Sequence, residues 1–238
     1  MKKRGNRKKK RIVFAIVNGA LLLIMAACLI TTAILSNTLA SQKEASRWRG
    51  ESDMEFSQIS CFIPVDEKIG LEEVSAFRTK LTEELHKAAL DIDNDSTLFV
   101  DAWSCTGKVN VSSDNGKGEA AVIAVGGEFF DFHPIRLISG SYITQRDLMK
   151  DRVLLDEDLA WLLYGGTDIA GLSMKINGVP YMIAGVVERE QDKFSTAAYT
   201  SGRGLYMSYD GYSQLVEDAG ITCYELVMAN PVKDFALG

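Results

Sequence analysis

From Ile12 to Leu35 the chain runs 24 residues without a charge. A helix rising ~1.5 Å per residue spans roughly 36 Å over that length, enough to cross a hydrocarbon core of about 30 Å with some tilt. The polar side chains Asn18, Thr31 and Thr32 can satisfy their hydrogen bonds within such a helix. Residues 1–11 just before it carry eight basic side chains and no acidic one. The whole chain has 26 Lys+Arg against 32 Asp+Glu, so residues 12–238 carry 18 basic against 32 acidic, a net −14. This split predicts a cytoplasmic basic tail (1–11), a transmembrane helix (12–35) and an extracytoplasmic remainder (36–238), which puts the protein in the cell membrane. The competing reading is a cleaved signal peptide. Its apolar region is shorter, about 7–15 residues, and Thr38-Leu39-Ala40 is a poor cleavage site because Thr38 is large for that position. The acidic remainder argues against nucleic acid as a partner.

Residues 36–55 are polar and charged and read as a stalk. Phe56–Ile63 alternates, with Ile59, Cys61 and Ile63 on one face, and predicts a strand. Leu71, Val74, Phe77, Leu81, Leu85 and Ala88 form one apolar stripe of a helix. Thr97–Ser104 reads as a second strand. Lys108–Ser112 and Ala120–Val125 flank the tight-turn signal Asp114-Asn115-Gly116, and Ser173–Asn177 and Tyr181–Val187 flank Asn177-Gly178. Val153–Leu155 leads into a helix starting near Asp156. Leu205–Ser208, a helix over Tyr212–Ala219 and the strand Thr222–Met228 close the chain. Strand–helix–strand units at both ends, around a middle rich in short strands, predict an α+β fold: a split βαβ part (56–105 and 204–238) with a β-rich insertion (106–203). Asn230-Pro231 reads as a helix start cut off after about two turns, so the chain is expected to be part of a longer protein.

Motifs that carry chemistry are missing from the sequence. There is no G-x-x-x-x-G-K-[ST] phosphate loop. His86 and His133 stand in no metal-ligand spacing and read as surface or packing residues. Asp91, Asp93 and Asp95 mimic the start of a calcium loop, but Ser96 and Ala102 occupy positions that need Gly and Glu. Asp156-Glu157-Asp158 reads as a favourable helix N-terminus. Cys28 lies in the apolar span. Cys61, Cys105 and Cys223 lie beyond it and allow at most one disulfide among themselves. Strand phase turns Cys61 inward, as a buried free thiol, and Cys223 outward with Glu225, so those two are not expected to bond. No catalytic, cofactor-binding or metal-binding residue is assigned.

A denser pattern runs through the middle. Val125-Gly126-Gly127-Glu128-Phe129-Phe130 precedes Leu137-Ile138-Ser139-Gly140-Ser141-Tyr142-Ile143. Then come Asp147, Val153-Leu154-Leu155, Ala160 and Leu163-Tyr164-Gly165. Asp168-Ile169-Ala170-Gly171, Ile176, Gly178, Tyr181 and Ile183-Ala184-Gly185-Val186 complete it. This order resembles the MacB-like periplasmic core domain family of ABC-transporter permeases. Tyr164 stands where the family usually has Phe, Ala170 where it has Val, and Ser141 where it has Arg. The physical reading of the same residues is turns and close approaches at Gly140, Gly165, Gly171 and Gly185, with Phe129, Phe130, Phe132 and Leu137 anchoring a small core.

The resemblance implies the first transmembrane helix and the extracytoplasmic domain of an export or mechanotransmission permease, with a porter-like αβ part. It implies a cytoplasmic ABC ATPase subunit, a second permease subunit (an identical chain or a paralogue) and membrane lipid as partners. It also implies no cofactor and no enzymatic activity in the chain itself. Two other classes stay open: a single-pass membrane-anchored extracytoplasmic binding or sensor protein, and a membrane-anchored enzyme.

Overall fold

A computed structural model describes residues 2–38, 43–50, 55–87, 99–189 and 204–229, with the backbone alone for 2–10 and 36–38. The chain divides into two units, Met1–Lys43 and Glu44–Gly238. In the first, helix α1 runs from Lys2 to Thr38. Its stretch Arg11–Leu35 is the one described helix long and apolar enough to cross a membrane, and its side chains are exposed throughout. The expected internal satisfaction is present. Asn18 Nδ2 donates to Phe14 O at 2.8 Å, Thr31 Oγ1 to Ala27 O at 2.7 Å and Thr32 Oγ1 to Cys28 O at 2.9 Å.

The second unit is a sheet-rich α/β domain. Its elements are α2 (Glu44–Arg49), β1 (Phe56–Phe62), α3 (Leu71–Lys87), β2 (Phe99–Ser112), β3 (Lys117–Gly127) and α4 (Phe129–Phe132). Next come β4 (Leu137–Gly140), β5 (Arg152–Asp156), α5 (Glu157–Tyr164), β6 (Ser173–Ile176), β7 (Val179–Val187), β8 (Gly204–Ser208), α6 (Tyr209–Ser213) and β9 (Cys223–Ala229). The strands join in the order β1-β9-β2-β3-β8-β5-β7-β4, and β6 pairs both β2 and β7. That last pairing closes a ring of six strands, β2-β3-β8-β5-β7-β6. Side chains alternate across it: Val109, Val111, Val122, Leu155, Ile176, Ile183 and Met207 are buried in one cluster, while Lys108, Asn110, Glu119 and Lys175 stay exposed.

The closure rests on a small junction. Val111 faces Ile176 and Ser112 faces Lys175. Asn177 reinforces it, donating its N–H to Asn110 O at 2.8 Å and accepting the Asn110 N–H on Oδ1 at 3.0 Å. Asn177 and Gly178, at φ 49° and 87°, make the tight turn between β6 and β7 that their sequence predicts.

Several expectations change. The two strands expected over 97–104 and 108–112 are one 14-residue strand over its described part, β2. Gly107 lies within it at a close approach, where a Cβ would lie 2.0 Å from the Tyr212 hydroxyl. The helix expected at Tyr212–Ala219 starts at Tyr209 and ends at Ser213, because Ser208 Oγ caps it by accepting the Gly211 N–H at 3.1 Å. β8 sits between β3 and β5, where Leu205 and Met207 fill the ring. Within the region read as a stalk, Glu44–Arg49 is a helix, and Arg47 Nη2 donates to Asp131 O at 2.7 Å. The aspartates 91, 93 and 95 and the Asn230-Pro231 helix start lie outside the described residues.

Candidate functional site

The strand between β1 and β2, β9, is held on both of its faces. β1 pairs it antiparallel over seven residues, Phe56↔Ala229 to Phe62↔Cys223, and β2 pairs its other edge, Phe99↔Met228 to Ser104↔Cys223. Successive side chains of β9 point to opposite faces. Tyr224 points towards α3 and donates its hydroxyl to Asp101 Oδ2 at 2.6 Å. Asp101 is 2% exposed and takes two more bonds from α3, from Arg78 Nε at 2.7 Å and Nη2 at 2.6 Å. This forked pairing fixes direction as well as charge. The Arg78 guanidinium lies 5.2 Å over the Trp103 ring, and Phe77 meets Tyr224 edge-on at 5.5 Å. Burial, then the bond to Asp101, pushes the Tyr224 phenol well above the ordinary tyrosine range. The phenol therefore stays a proton donor to the carboxylate.

Glu225 points the other way and is also buried. Ser60 Oγ on β1 donates to its Oε1 at 3.3 Å, and His133 Nε2 lies 2.5 Å from its Oε2. His133 stacks on Phe129 of α4 at 4.4 Å. Beside α4, Arg47 bonds both Asp131 O and Glu44, whose carboxyl burial pushes upward against the opposing pull of Arg47. β9 thus reaches, through the Tyr224 hydroxyl, the Arg78–Asp101 pair that joins α3 to β2, and, through the buried Glu225 carboxylate, His133 at the end of α4. An arrangement of this kind resists sliding of β9 against its neighbours, because displacement leaves charges buried without partners.

The residues singled out in the sequence are scattered. His86 is exposed in the last turn of α3, and His133 is a packing histidine with one polar partner. Among the described residues no three of His, Cys, Asp and Glu stand together as metal ligands. The four cysteines are free. Burial pushes the thiols of Cys105 and Cys223 up to about 12, which makes them poor nucleophiles. Cys61 is exposed, contrary to expectation. It shares the face of its partner Tyr224, as strand phase predicts, but β1 is the outer strand and α3 leaves an apolar groove there of about 260 Å³. Cys61, Ile63, Val74, Phe77, Ile221 and Tyr224 line it. The node of Arg78, Asp101, Tyr224, Glu225 and His133 was not foreseen. Its signal was a lone carboxylate in the apolar run Phe99–Cys105.

The sequence matches the family model described as MacB-like periplasmic core domain over residues 14–234. No curated protein matches the chain. Among solved structures it is similar to the extracellular domain of the noncanonic ABC-type transporter YknZ from Gram-positive bacteria. That match has 14% identity and a TM-score of 0.48, over 76% of this chain and 88% of that one. It is also similar to the periplasmic region of MacB from Actinobacillus actinomycetemcomitans, with 16% identity and a TM-score of 0.45 over 60% and 64% of the two chains. A domain of a putative permease protein from Porphyromonas gingivalis matches at 18% identity and a TM-score of 0.40, over 63% and 70%.

Proposed function

The chain belongs to the MacB-like periplasmic core domain family, and from that premise we propose that it is a permease subunit which carries movement between a membrane and an external domain. The family is a permease domain of ABC transporters and is not itself the ATPase. The finer reading is that a cytoplasmic ATPase subunit drives the motion, that a second permease subunit completes the assembly, and that membrane lipid surrounds α1. Residues 1–11 lie in the cytoplasm and 36–238 outside. The division into a porter-like part (56–105 and 204–238) and a β-rich insertion (106–203) belongs to the same proposal. So does the assignment of no catalytic, cofactor-binding or metal-binding residue.

The observation that carries this reading is the pairing of β1 with β9. The first strand after α1 and the last described strand lie side by side over seven residues, and β9 is fastened on both faces by buried polar groups. Packed sheets move as bodies, so a displacement entering at β1 passes to β9 and through β2 into the ring. The test is isolation of the full-length protein from its own membrane in mild detergent. A subunit with ATPase activity co-isolates, and its nucleotide turnover depends on the permease. Recovery of the chain alone, in every detergent that keeps it folded, favours the anchored binding or sensor protein.

A further inference from the structure

Two exposed apolar features lie at the same end of the strands. One is the groove of about 260 Å³ between β1 and α3, walled by Ile63, Val74, Phe77 and Ile221. The other is the loop ahead of β5, residues 144–150, whose tip carries Leu148 and Met149. Leu148 is 97% exposed, more than any other large apolar side chain among the described residues, and Met149 is 63% exposed. The tip is held from below. Asp147 accepts the Thr144 N–H and the Thr144 hydroxyl, each at 3.1 Å, and Lys150 Nζ donates to Gln145 O at 2.8 Å. Strand register sets the two features in one row. Cys223 pairs Phe62 and Ser104, Val125 pairs Ser104 and Ser208, and the neighbouring Met207 pairs Val153 at the foot of the loop. Five strand spacings separate β1 from β5, ~24 Å along the sheet.

We infer that in a pair of copies the Leu148 and Met149 tip of each chain docks in the β1–α3 groove of the other. An apolar cavity of about 150 Å³ already takes a benzene-sized guest, so the groove has room for both side chains. Charge selects the occupant. Asp66, Glu67, Glu72 and Glu73 stand exposed around the groove, with Glu73 on its wall. Of the cations in that stretch, Lys68 pairs with Asp218 at 2.9 Å and Arg78 turns to Asp101. Lys80 is the remaining one, against four acids. The tip has the opposite sign. Arg146 is exposed before it and Lys150 follows it, while its one acid, Asp147, is engaged by Thr144 and lies 3.6 Å from Arg152. A basic apolar tip thus meets an acidic apolar groove. Both features lie at one end of the strands, so a two-fold axis makes the contact twice and closes the pair, with no tip left to recruit further copies. The inference rests on the permease reading in one respect, that two copies meet.

The experiment uses the full chain in its native membrane. Met149→Cys is placed in a Cys28→Ala chain that keeps Cys61, which lines the groove. The membranes are oxidised with copper phenanthroline, and dimers are read on a non-reducing gel. Met149→Cys gives a dimer band about ten-fold stronger than Lys175→Cys, an exposed site on β6, because a disulfide forms only between Cβ atoms held ~4 Å apart. Adding Cys61→Ala removes the band, which assigns it to the pair of positions 149 and 61. Adding Leu148→Asp instead cuts the band by about ten-fold, since a carboxylate is then driven against an acidic, apolar site. Leu148 is exposed in the single chain, so that change leaves the fold intact. A band no stronger than that of Lys175→Cys, one that persists without Cys61, or one untouched by Leu148→Asp overturns the docking. An amine cross-linker on the same membranes separates the two ideas. A dimer seen there without the 149–61 band overturns the docking and leaves the two-copy assembly standing, with the tip free to meet lipid. No dimer by either route overturns both.

Discussion

Asp156 shows how one carboxylate can join two elements. Its Oδ1 accepts the Leu159 N–H at 2.7 Å and caps α5, while its Oδ2 accepts the Gly204 N–H at 2.6 Å at the start of β8. Burial pushes its pKa from 3.8 to about 6, although both N–H donors and Arg189 pull it down. A folded-state pKa raised above the unfolded one means that folding favours the protonated form. This contribution to stability is fully present below about pH 4 and lost as pH rises through about 6. The stability of the wild type relative to Asp156→Asn should therefore fall between pH 4 and pH 6, by up to roughly 3 kcal/mol. Denaturant unfolding of both proteins across that range checks this, and parallel pH profiles would contradict it. The cap itself was legible, since an aspartate stands directly before an apolar helix. The link to Gly204 was not, because it spans 48 residues and depends on where β8 enters the ring. Cys61 teaches the same lesson: strand phase gave its face, but exposure depends on β1 being outermost.

At the scale of elements, local signals were the reliable ones. Asn177-Gly178 fixed a turn because its positive φ angles suit those residues, and the stripe from Leu71 to Leu85 fixed α3. Ring closure was not legible. It depends on a two-residue pairing between β2 and β6, with Asn177 bonded to Asn110. The departure at Tyr164 also resolves at this scale, since its hydroxyl donates to Ser173 O at 2.7 Å and ties the end of α5 to β6. The orientation of α1 is testable with cysteines placed on either side of it. In a Cys61→Ala background, an impermeant thiol reagent should label Lys175→Cys, exposed on β6, in intact cells. Asn6→Cys should react only after the membrane is opened. The reverse pattern would invert the topology.

Across the whole molecule, the family match over residues 14–234 and the pairing and polar fastening of β9 are the two observations that the proposed account joins, in which the sheet passes movement on. The resemblance was legible because turn glycines and packing phenylalanines keep their order along the chain. Gly140 is one of these, at φ 79°, with room for no Cβ beside Ala184 O. The polar node was not legible, because Arg78, Asp101, His133 and the pair Tyr224-Glu225 come from four separate places in the sequence. The structure also locates the useful cut. Arg47 ties α2 to Asp131, so loosening the chain after Gly50 would disturb the domain itself. The insertion therefore goes between Thr38 and Glu44, ahead of α2. A flexible Gly/Ser segment inserted there in the full-length permease, with transport or signalling output and ATP hydrolysis measured on the assembled complex, tests the central claim most directly. Output should fall sharply while hydrolysis persists. Unchanged output from a correctly assembled complex would show that force does not pass from α1 into this sheet.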